Sequence, residues 1–200
     1  MAAPAGLPAT AWRTRDIVVA AVIGVAFGVV FWAWGLAWSA FDPLNSFFPV
    51  LRDSLYAVWL VPAVLAPLIV RKPGAALFAE MVAAALSALL GSQWGIDTLL
   101  SGFVQGAAAE IVFGFTLYRS WSPAVLALAG IASAAAAWAH DWVIYYGHFT
   151  DAGWVSDISL ELQLARLVLM AISALVFVAL GSILLERALR RAGVLEGFPA

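Results

Sequence analysis

The stretch GFVQGAAAEIVFGF, residues 102–115, is strongly apolar, yet it contains two polar side chains. The fold class depends on whether water or lipid surrounds this stretch. Gln105 and Glu110 each need hydration or a hydrogen-bond partner wherever they lie. The chain has 200 residues, of which 64% are hydrophobic and 11% charged, and its mean hydropathy is +0.98. Soluble domains average about 25% charged residues. The sequence therefore predicts an all-α integral membrane protein.

Apolar segments of about 20 residues, the length that crosses a bilayer, define the predicted architecture. Breaker residues or charges separate six of them. They are residues 16–40, 52–71, 74–91, 97–118, 123–147 and 159–186. Pro62 and Pro67 predict a kink in the second. We expect a six-transmembrane-helix bundle forming a single domain over residues 16–191. A segment over 1–15 precedes it and a tail over 192–200 follows it.

Basic residues predict the orientation of this bundle. Every Lys and Arg except Arg52 and Arg166 falls at the N-terminus, in alternate loops or near the C-terminus. By the positive-inside rule, both termini are then cytoplasmic. The opposite loops carry aspartates and many aromatic rings, which suit either an interfacial belt or a ligand site.

Five ionisable side chains are predicted inside the membrane, where they usually face the bundle interior or a watery cavity. They are Glu80, Glu110, His140, Asp141 and Arg166. From the helical rise of about 1.5 Å per residue, we place Asp141 and Arg166 with Gln105 near the outer surface. The two glutamates are expected near the midplane. This layer predicts a cavity open to the outside rather than a continuous conduction path.

The fifth segment carries a carboxylate flanked by rings. Trp138, Asp141 and Tyr145 follow at i, i+3 and i+7, an arrangement that suits an organic cation. The alternative is that Asp141 neutralises Arg166. Glu110, on a stripe of small residues, binds a substrate amine or makes an interhelical hydrogen bond. The sequence leaves these alternatives open.

A stripe of small residues, Ala20, Gly24 and Gly28, runs along the first segment at i+4 spacing. Such a stripe lets another helix approach closely, either within the bundle or from another subunit. No cysteine, H-x-x-H pair or E-x-x-H pair occurs, and no serine belongs to a recognisable nucleophile motif. We therefore predict no catalytic residue, no metal site, no resident cofactor and no nucleic-acid partner.

Several blocks resemble the YkoE-type substrate-binding (S) components of energy-coupling factor (ECF) vitamin transporters. They are RKPGAALFAE at 71–80, GFVQGAAAEIVF at 102–113, the segment around Asp141, ARLVLMAISALVFVALG at 165–181 and the terminal AGVLEG. The resemblance covers nearly the whole chain. That family is associated with thiamine and its hydroxymethylpyrimidine precursor.

The resemblance implies a multi-pass protein of the bacterial cytoplasmic membrane that captures vitamin outside. It also implies partners: a transmembrane coupling (T) subunit, docked on Ala20, Gly24 and Gly28, and two ATP-binding-cassette (ABC) ATPase subunits. The chain carries no GxxxxGK[ST] motif of its own. The alternatives are an ion-coupled secondary transporter of a small cationic solute and a structural or assembly subunit.

Thiamine, if it is the substrate, selects the candidate site residues by its chemistry. Its aminopyrimidine suits a glutamate and an amide, and its thiazolium suits a carboxylate between rings. The candidate set is Trp34, Tyr56, Trp59, Glu80, Trp94, Gln105, Glu110, Trp138, Asp141 and Tyr145. The sequence leaves open whether thiamine or hydroxymethylpyrimidine binds and which acid pairs with Arg166.

Overall fold

The computed structural model describes residues 11–151 and 153–199, and most of them are helical. The α-helices are α1 Thr14–Trp38, α2 Pro62–Val70, α3 Ala75–Leu89, α4 Asp97–Phe115, α5 Pro123–Ile144, α6 Leu160–Ser173 and α7 Gly181–Arg191. Two 3-10 helices, Ser39–Ser46 and Leu51–Leu60, precede α2, and a π-helix, Ala174–Leu180, joins α6 to α7. An antiparallel hairpin of β1 Gly147–Thr150 and β2 Gly153–Ser156 follows α5.

Five helical stretches in the described residues are long and apolar enough to cross a membrane. They are Thr14–Trp38, Leu51–Val70, Asp97–Phe115, Pro123–Ile144 and Leu160–Arg191. The third predicted segment is the shorter apolar helix α3. The chain is thus a mostly helical, multi-pass membrane protein.

The six predicted helical segments differ from the structure at two places. The second segment begins as the 3-10 helix Leu51–Leu60 and becomes α-helical only at Pro62, the first position of α2. Proline is common at the first position of a helix because the N–H of that residue has no hydrogen-bond partner within the helix. The last segment is divided by the π-helix Ala174–Leu180. The domain prediction for residues 1–15 falls partly outside the described residues.

Helix α2 forms the centre of the bundle. All nine of its residues are buried, and it packs against α1, α3, α4, α5 and α7. Its sequence, PAVLAPLIV, has no polar side chain, so it can be enclosed on every side without an unpaired group. The remaining helices are arranged around this apolar core.

The small-residue stripe of α1 packs against α3 within the chain. A Cβ added at Gly24 would lie 2.7 Å from Val82 Cβ, and one added at Gly28 would lie 2.7 Å from Leu86 Cβ. Ala20, on the same stripe, is fully buried. The predicted docking face for another subunit is therefore corrected: these residues are covered by α3, because only small side chains permit so close an approach.

A methyl group at Gly24 should destabilise the fold, whereas a methyl group at Gly114 should not. The Gly24→Ala Cβ would overlap Val82, whereas the Gly114→Ala Cβ would meet Tyr118 Oη at an ordinary 3.7 Å. Alanine also gains about 1 kcal/mol over glycine in helix propensity. Thermal unfolding in one detergent should give a lower Tm for Gly24→Ala and an equal or higher Tm for Gly114→Ala. A Gly24→Ala variant as stable as the unmodified chain would contradict the α1–α3 packing.

Candidate functional site

A cavity of about 490 Å³ lies at the end of the bundle where α1, α3 and α5 end and where α4 and α6 begin. This is the end that the charge pattern predicts to face outward. Small-molecule sites have typical volumes of about 300–1,000 Å³. The aromatic lining residues are Phe31, Trp38, Tyr56, Trp59, Trp94, Tyr145 and Tyr146. The polar lining residues include Arg52, Asp53, Ser87, Asp97, Ser101, Gln105, Asp141 and Arg166.

The 3-10 helix Leu51–Leu60 supplies one wall of the cavity. Asp53, Tyr56 and Trp59 follow one another at i+3 and all line it. A 3-10 helix has three residues per turn, so side chains at this spacing lie above one another on one face. Runs longer than three or four residues are uncommon. This ten-residue run is tied to the bundle by the Ala57 N–H, which donates to Ser173 Oγ at 3.2 Å.

Four aromatic rings form a connected cluster on this wall. Trp59 lies at its centre, with ring centroids 4.7 Å from Trp38, 5.3 Å from Tyr56 and 5.3 Å from Trp94. All three pairs meet edge to face, the arrangement that the ring quadrupoles favour. Trp59 Nε1 also donates to the Phe31 carbonyl at 3.3 Å, which holds the ring against α1. The cluster presents a rigid aromatic surface to the cavity.

The guanidinium of Arg166 also lines the cavity and is paired with two carboxylates. Its Nε donates to Asp53 Oδ2 at 3.1 Å, and its Nη2 donates to Asp141 Oδ2 at 3.4 Å. Nη1 donates to Gln163 Oε1 at 3.1 Å, and the Tyr146 ring centroid lies 3.8 Å away. Arg166 is 1% exposed, and an unpaired charge buried in a membrane protein is costly. The carboxylates of the 3-10 helix and of α5 neutralise it.

His140 connects Asp141 to a third carboxylate at the start of α4. Its Nδ1 lies 3.1 Å from Asp141 Oδ1, and its Nε2 lies 3.2 Å from Asp97 Oδ1. Tyr145 Oη donates to Asp97 Oδ2, and Tyr56 Oη donates to Asp141 Oδ1 at 3.4 Å. Burial, and then the hydrogen bond to the Asp97 carboxylate, raise the pKa of the Tyr145 hydroxyl above its ordinary value. A continuous polar network therefore runs from Asp97 through His140 and Asp141 to Tyr56.

Gln105 extends this network along α4. Its Nε2 donates to Ser101 Oγ at 2.5 Å and to Tyr56 Oη at 3.3 Å. Its backbone carbonyl accepts from Ser133 Oγ at 2.8 Å, which ties α4 to α5. The side chain is 3% exposed and lines the cavity. The Gln105 amide therefore has its hydrogen-bond partners in the same polar network as Asp141.

Six of the predicted site residues line the cavity, namely Tyr56, Trp59, Trp94, Gln105, Asp141 and Tyr145. Trp34 and Trp138 do not line it. Trp34 Nε1 donates to the Leu55 carbonyl at 3.3 Å, and Trp138 Nε1 donates to the Gln163 carbonyl at 2.8 Å. Both rings therefore brace neighbouring backbone rather than facing the cavity. Tyr145, the residue after the last residue of α5, does line it.

Glu110 lies at the opposite end of the bundle, not near the midplane as predicted. It accepts from the N–H groups of Gly74 and Ala76, at 2.5 and 3.0 Å, and from Tyr118 Oη at 2.6 Å. The first N–H groups of a helix have no partner within that helix. Glu110 therefore caps α3, which is the hydrogen-bonding alternative left open by the sequence.

Glu80 is also outside the cavity. It is fully buried, and its Oε2 accepts from the Ala63 N–H, in the first turn of α2, at 3.0 Å. No side chain or backbone group in the described part of the chain bonds its Oε1. Neither predicted glutamate is thus placed to contact a ligand in this cavity.

Two residues outside the predicted site set, Asp53 and Asp97, carry much of the site's charge. Asp53 lies three residues before Tyr56, and its side chain is 6% exposed. Asp97 begins α4, three residues after Trp94, and its side chain is 22% exposed. The sequence pattern that could have identified both is an acidic residue three positions from an aromatic residue at the start of a helix. The described residues contain no cluster suited to a metal ion.

Comparison with known proteins agrees with this architecture. The sequence model of the ABC-type cobalt transport system permease components matches residues 15–136. This chain belongs to that family. It is 36% identical over 132 residues to the putative HMP/thiamine permease protein YkoE of Bacillus subtilis (strain 168). That alignment covers 65% of this chain and 64% of YkoE, slightly less than two thirds of the relative.

One solved structure is similar to this chain over nearly the whole length of the chain. A crystal structure of an S-component of an ECF transporter superimposes with a TM-score of 0.81 and 32% identity. The match covers 94% of this chain and 90% of that one. The resemblance to YkoE-type S components is therefore confirmed, as is the assignment to the bacterial cytoplasmic membrane. The described cavity belongs to a protein with the S-component fold.

Removing one partner of Arg166 should destabilise this permease-family chain. Asp53→Asn leaves Asp141 as the one carboxylate paired with the buried guanidinium, and losing one partner of a buried ion pair costs about 3–5 kcal/mol. Asp157→Asn is the control because Asp157 pairs with His148 at the surface, where such pairs contribute about 0–1 kcal/mol. Denaturant unfolding in mixed micelles measures both. Equal stability of the two variants would contradict the structural role of the pair.

Proposed function

We propose that this chain is the substrate-binding subunit of an ABC-type ECF importer, which captures thiamine or its hydroxymethylpyrimidine moiety from outside the cell. The observation that carries the proposal is the cavity, where a cluster of rings faces a network of carboxylates. Aromatic faces and carboxylates together bind organic cations and heteroaromatic amines. The names of the relatives support the same substrate class, since YkoE is a putative HMP/thiamine permease.

The two sides of the cavity suit the two rings of thiamine. The thiazolium carries a fixed positive charge, which a carboxylate at the α4–α5 side neutralises. The aminopyrimidine stacks against Trp59 and exchanges hydrogen bonds with the amide of Gln105 and the hydroxyl of Tyr56. A polar group at each end and an aromatic wall between them fix the orientation of one small ligand.

The orientation of the bundle follows from the position of its basic residues. The described arginines and lysines other than Arg52 and Arg166 lie at the end opposite the cavity, where α2, α4 and α7 end. The positive-inside rule makes that end cytoplasmic, together with both termini. Helix α3 then crosses as the short sixth span. The cavity is left facing outward, where a vitamin is captured.

Delivery to the cytoplasm requires partners. The sequence has no phosphate-binding Walker motif, so the energy of ATP enters through separate ABC ATPase subunits. A transmembrane coupling subunit connects them to this chain. Because Gly24 and Gly28 pack closely against α3, we propose that the coupling subunit contacts a different surface of the chain. The chain itself acts as a transport subunit and not as an enzyme.

Purified chain alone should bind thiamine saturably, and the loss of Trp59 should weaken that binding. Trp59→Ala removes the central ring of the cavity wall, and base-like rings lose about 1–3 kcal/mol when an aromatic stacking partner is removed. Trp121→Ala is the matched control, because Trp121 stacks on Phe113 away from the cavity. Isothermal titration calorimetry in detergent measures both variants.

Two results would count against the proposal. If the unmodified chain binds no thiamine or hydroxymethylpyrimidine but another vitamin binds tightly, the substrate is wrong and the architecture stands. If cells that lack the coupling and ATPase subunits still accumulate thiamine through this chain, an ion-coupled secondary transporter replaces the ECF importer.

A further inference from the structure

We infer that Asp97 is the carboxylate that pairs with the positive charge of the substrate, so that the cavity selects cationic thiamine over neutral hydroxymethylpyrimidine. The inference rests on the proposed function and narrows it to one of its two substrates. Three carboxylates line the cavity, namely Asp53, Asp97 and Asp141. These three carboxylates differ in the protein groups with which they already form hydrogen bonds and ion pairs.

Asp53 and Asp141 are engaged by groups of the protein. Both Asp53 oxygens accept from the Arg166 guanidinium, at 3.1 and 3.5 Å. Asp141 Oδ2 accepts from Arg166 at 3.4 Å, while its Oδ1 lies against His140 Nδ1 and accepts from Tyr56 Oη. Their side chains are 6% and 11% exposed. A substrate cation that paired with either one would compete with Arg166 for the same carboxylate oxygens.

Asp97 has no strong base of its own. Its Oδ1 lies 3.2 Å from His140 Nε2, and its Oδ2 accepts from Tyr145 Oη. The same imidazole reaches Asp141 through Nδ1 at 3.1 Å, so one ring is shared by two carboxylates. With a side chain 22% exposed, Asp97 is also the most accessible of the three acids. Its partners fix its orientation and leave it facing the cavity.

The remaining cavity cation is unavailable to Asp97. Arg52 pairs with Asp42, and its guanidinium lies 4.6 Å from the Trp38 ring centroid. Even with His140 doubly protonated, which lets both its nitrogens donate, the three carboxylates face one guanidinium and one imidazolium. One negative charge is left over. The geometry assigns that charge to the carboxylate without an arginine, Asp97.

The chemistry that completes this arrangement is a single positive charge on a flat ring. Tyr145 bonds Asp97 directly, and Trp94 precedes it by three residues in the cavity lining. A ring cation is therefore met by a carboxylate and by aromatic faces together, a combination that binds delocalised cations well. A neutral pyrimidine fills the aromatic part of the cavity but leaves the charge of Asp97 uncompensated.

The test is calorimetry of thiamine and of hydroxymethylpyrimidine with the purified chain, Asp97→Asn and Asp157→Asn. The amide keeps the shape and removes the charge. Asp97→Asn should weaken thiamine binding about 10- to 100-fold, because the quaternary thiazolium has no N–H to donate and the loss is that of one close charge pair. Hydroxymethylpyrimidine should change less than about threefold, which also shows that the variant is folded. Asp157→Asn, altered in a surface pair with His148, should bind both ligands as the unmodified chain does.

Three results would overturn the inference while leaving the proposed function intact. They are unchanged thiamine affinity in Asp97→Asn, an equal loss for both ligands, and tighter binding of hydroxymethylpyrimidine than of thiamine by the unmodified chain. If Asp97→Asn does not fold, Asp97→Glu replaces it. That variant should keep the preference for thiamine, and loss of the preference would overturn the inference. Binding of neither ligand by the unmodified chain would overturn the proposed function and the inference with it.

Discussion

The buried guanidinium of Arg166 is the constraint on which the rest of the site depends. A charge at this depth in a membrane protein needs partners, and the partners come from distant parts of the sequence. Asp53 approaches from the 3-10 helix and Asp141 from α5, while Arg166 itself lies on α6. The ion pairs therefore join three elements at one end of the bundle. The cavity is the space enclosed where those elements meet.

The same constraint accounts for the unusual geometry of the cavity wall. Asp53 is held by Arg166, and three residues per turn then bring Tyr56 and Trp59 onto the face that Asp53 occupies. In an α-helix the same residues would be spread over about a third of a turn. The 3-10 conformation thus lines up one charged and two aromatic side chains along the cavity. Hydrogen bonds from Ala57 and Trp59 to neighbouring helices secure it.

Sequence reasoning predicted the membrane segments well because the length and composition of an apolar run are fixed locally. It failed inside Leu51–Leu60, since hydropathy does not distinguish a 3-10 helix from an α-helix. It also misplaced Glu110, whose role depends on α3 starting beside it. The stripe of Gly24 and Gly28 correctly predicted a close contact with another helix. Which helix makes that contact depends on the tertiary fold and could not be read from the stripe. Asp141 was found because it stood deep in an apolar run.

The central claim is that substrate binds among the rings and carboxylates at the outer end while Arg166 stays paired with Asp53 and Asp141. The most direct measurement is an experimental structure of the chain with thiamine bound. The ligand should lie in the cavity against Trp59 and Trp94, with its thiazolium near Asp97 and the Arg166 ion pairs unbroken. A ligand bound beside Glu80 or Glu110, or an Arg166 that leaves its aspartates to contact the ligand, would contradict the claim.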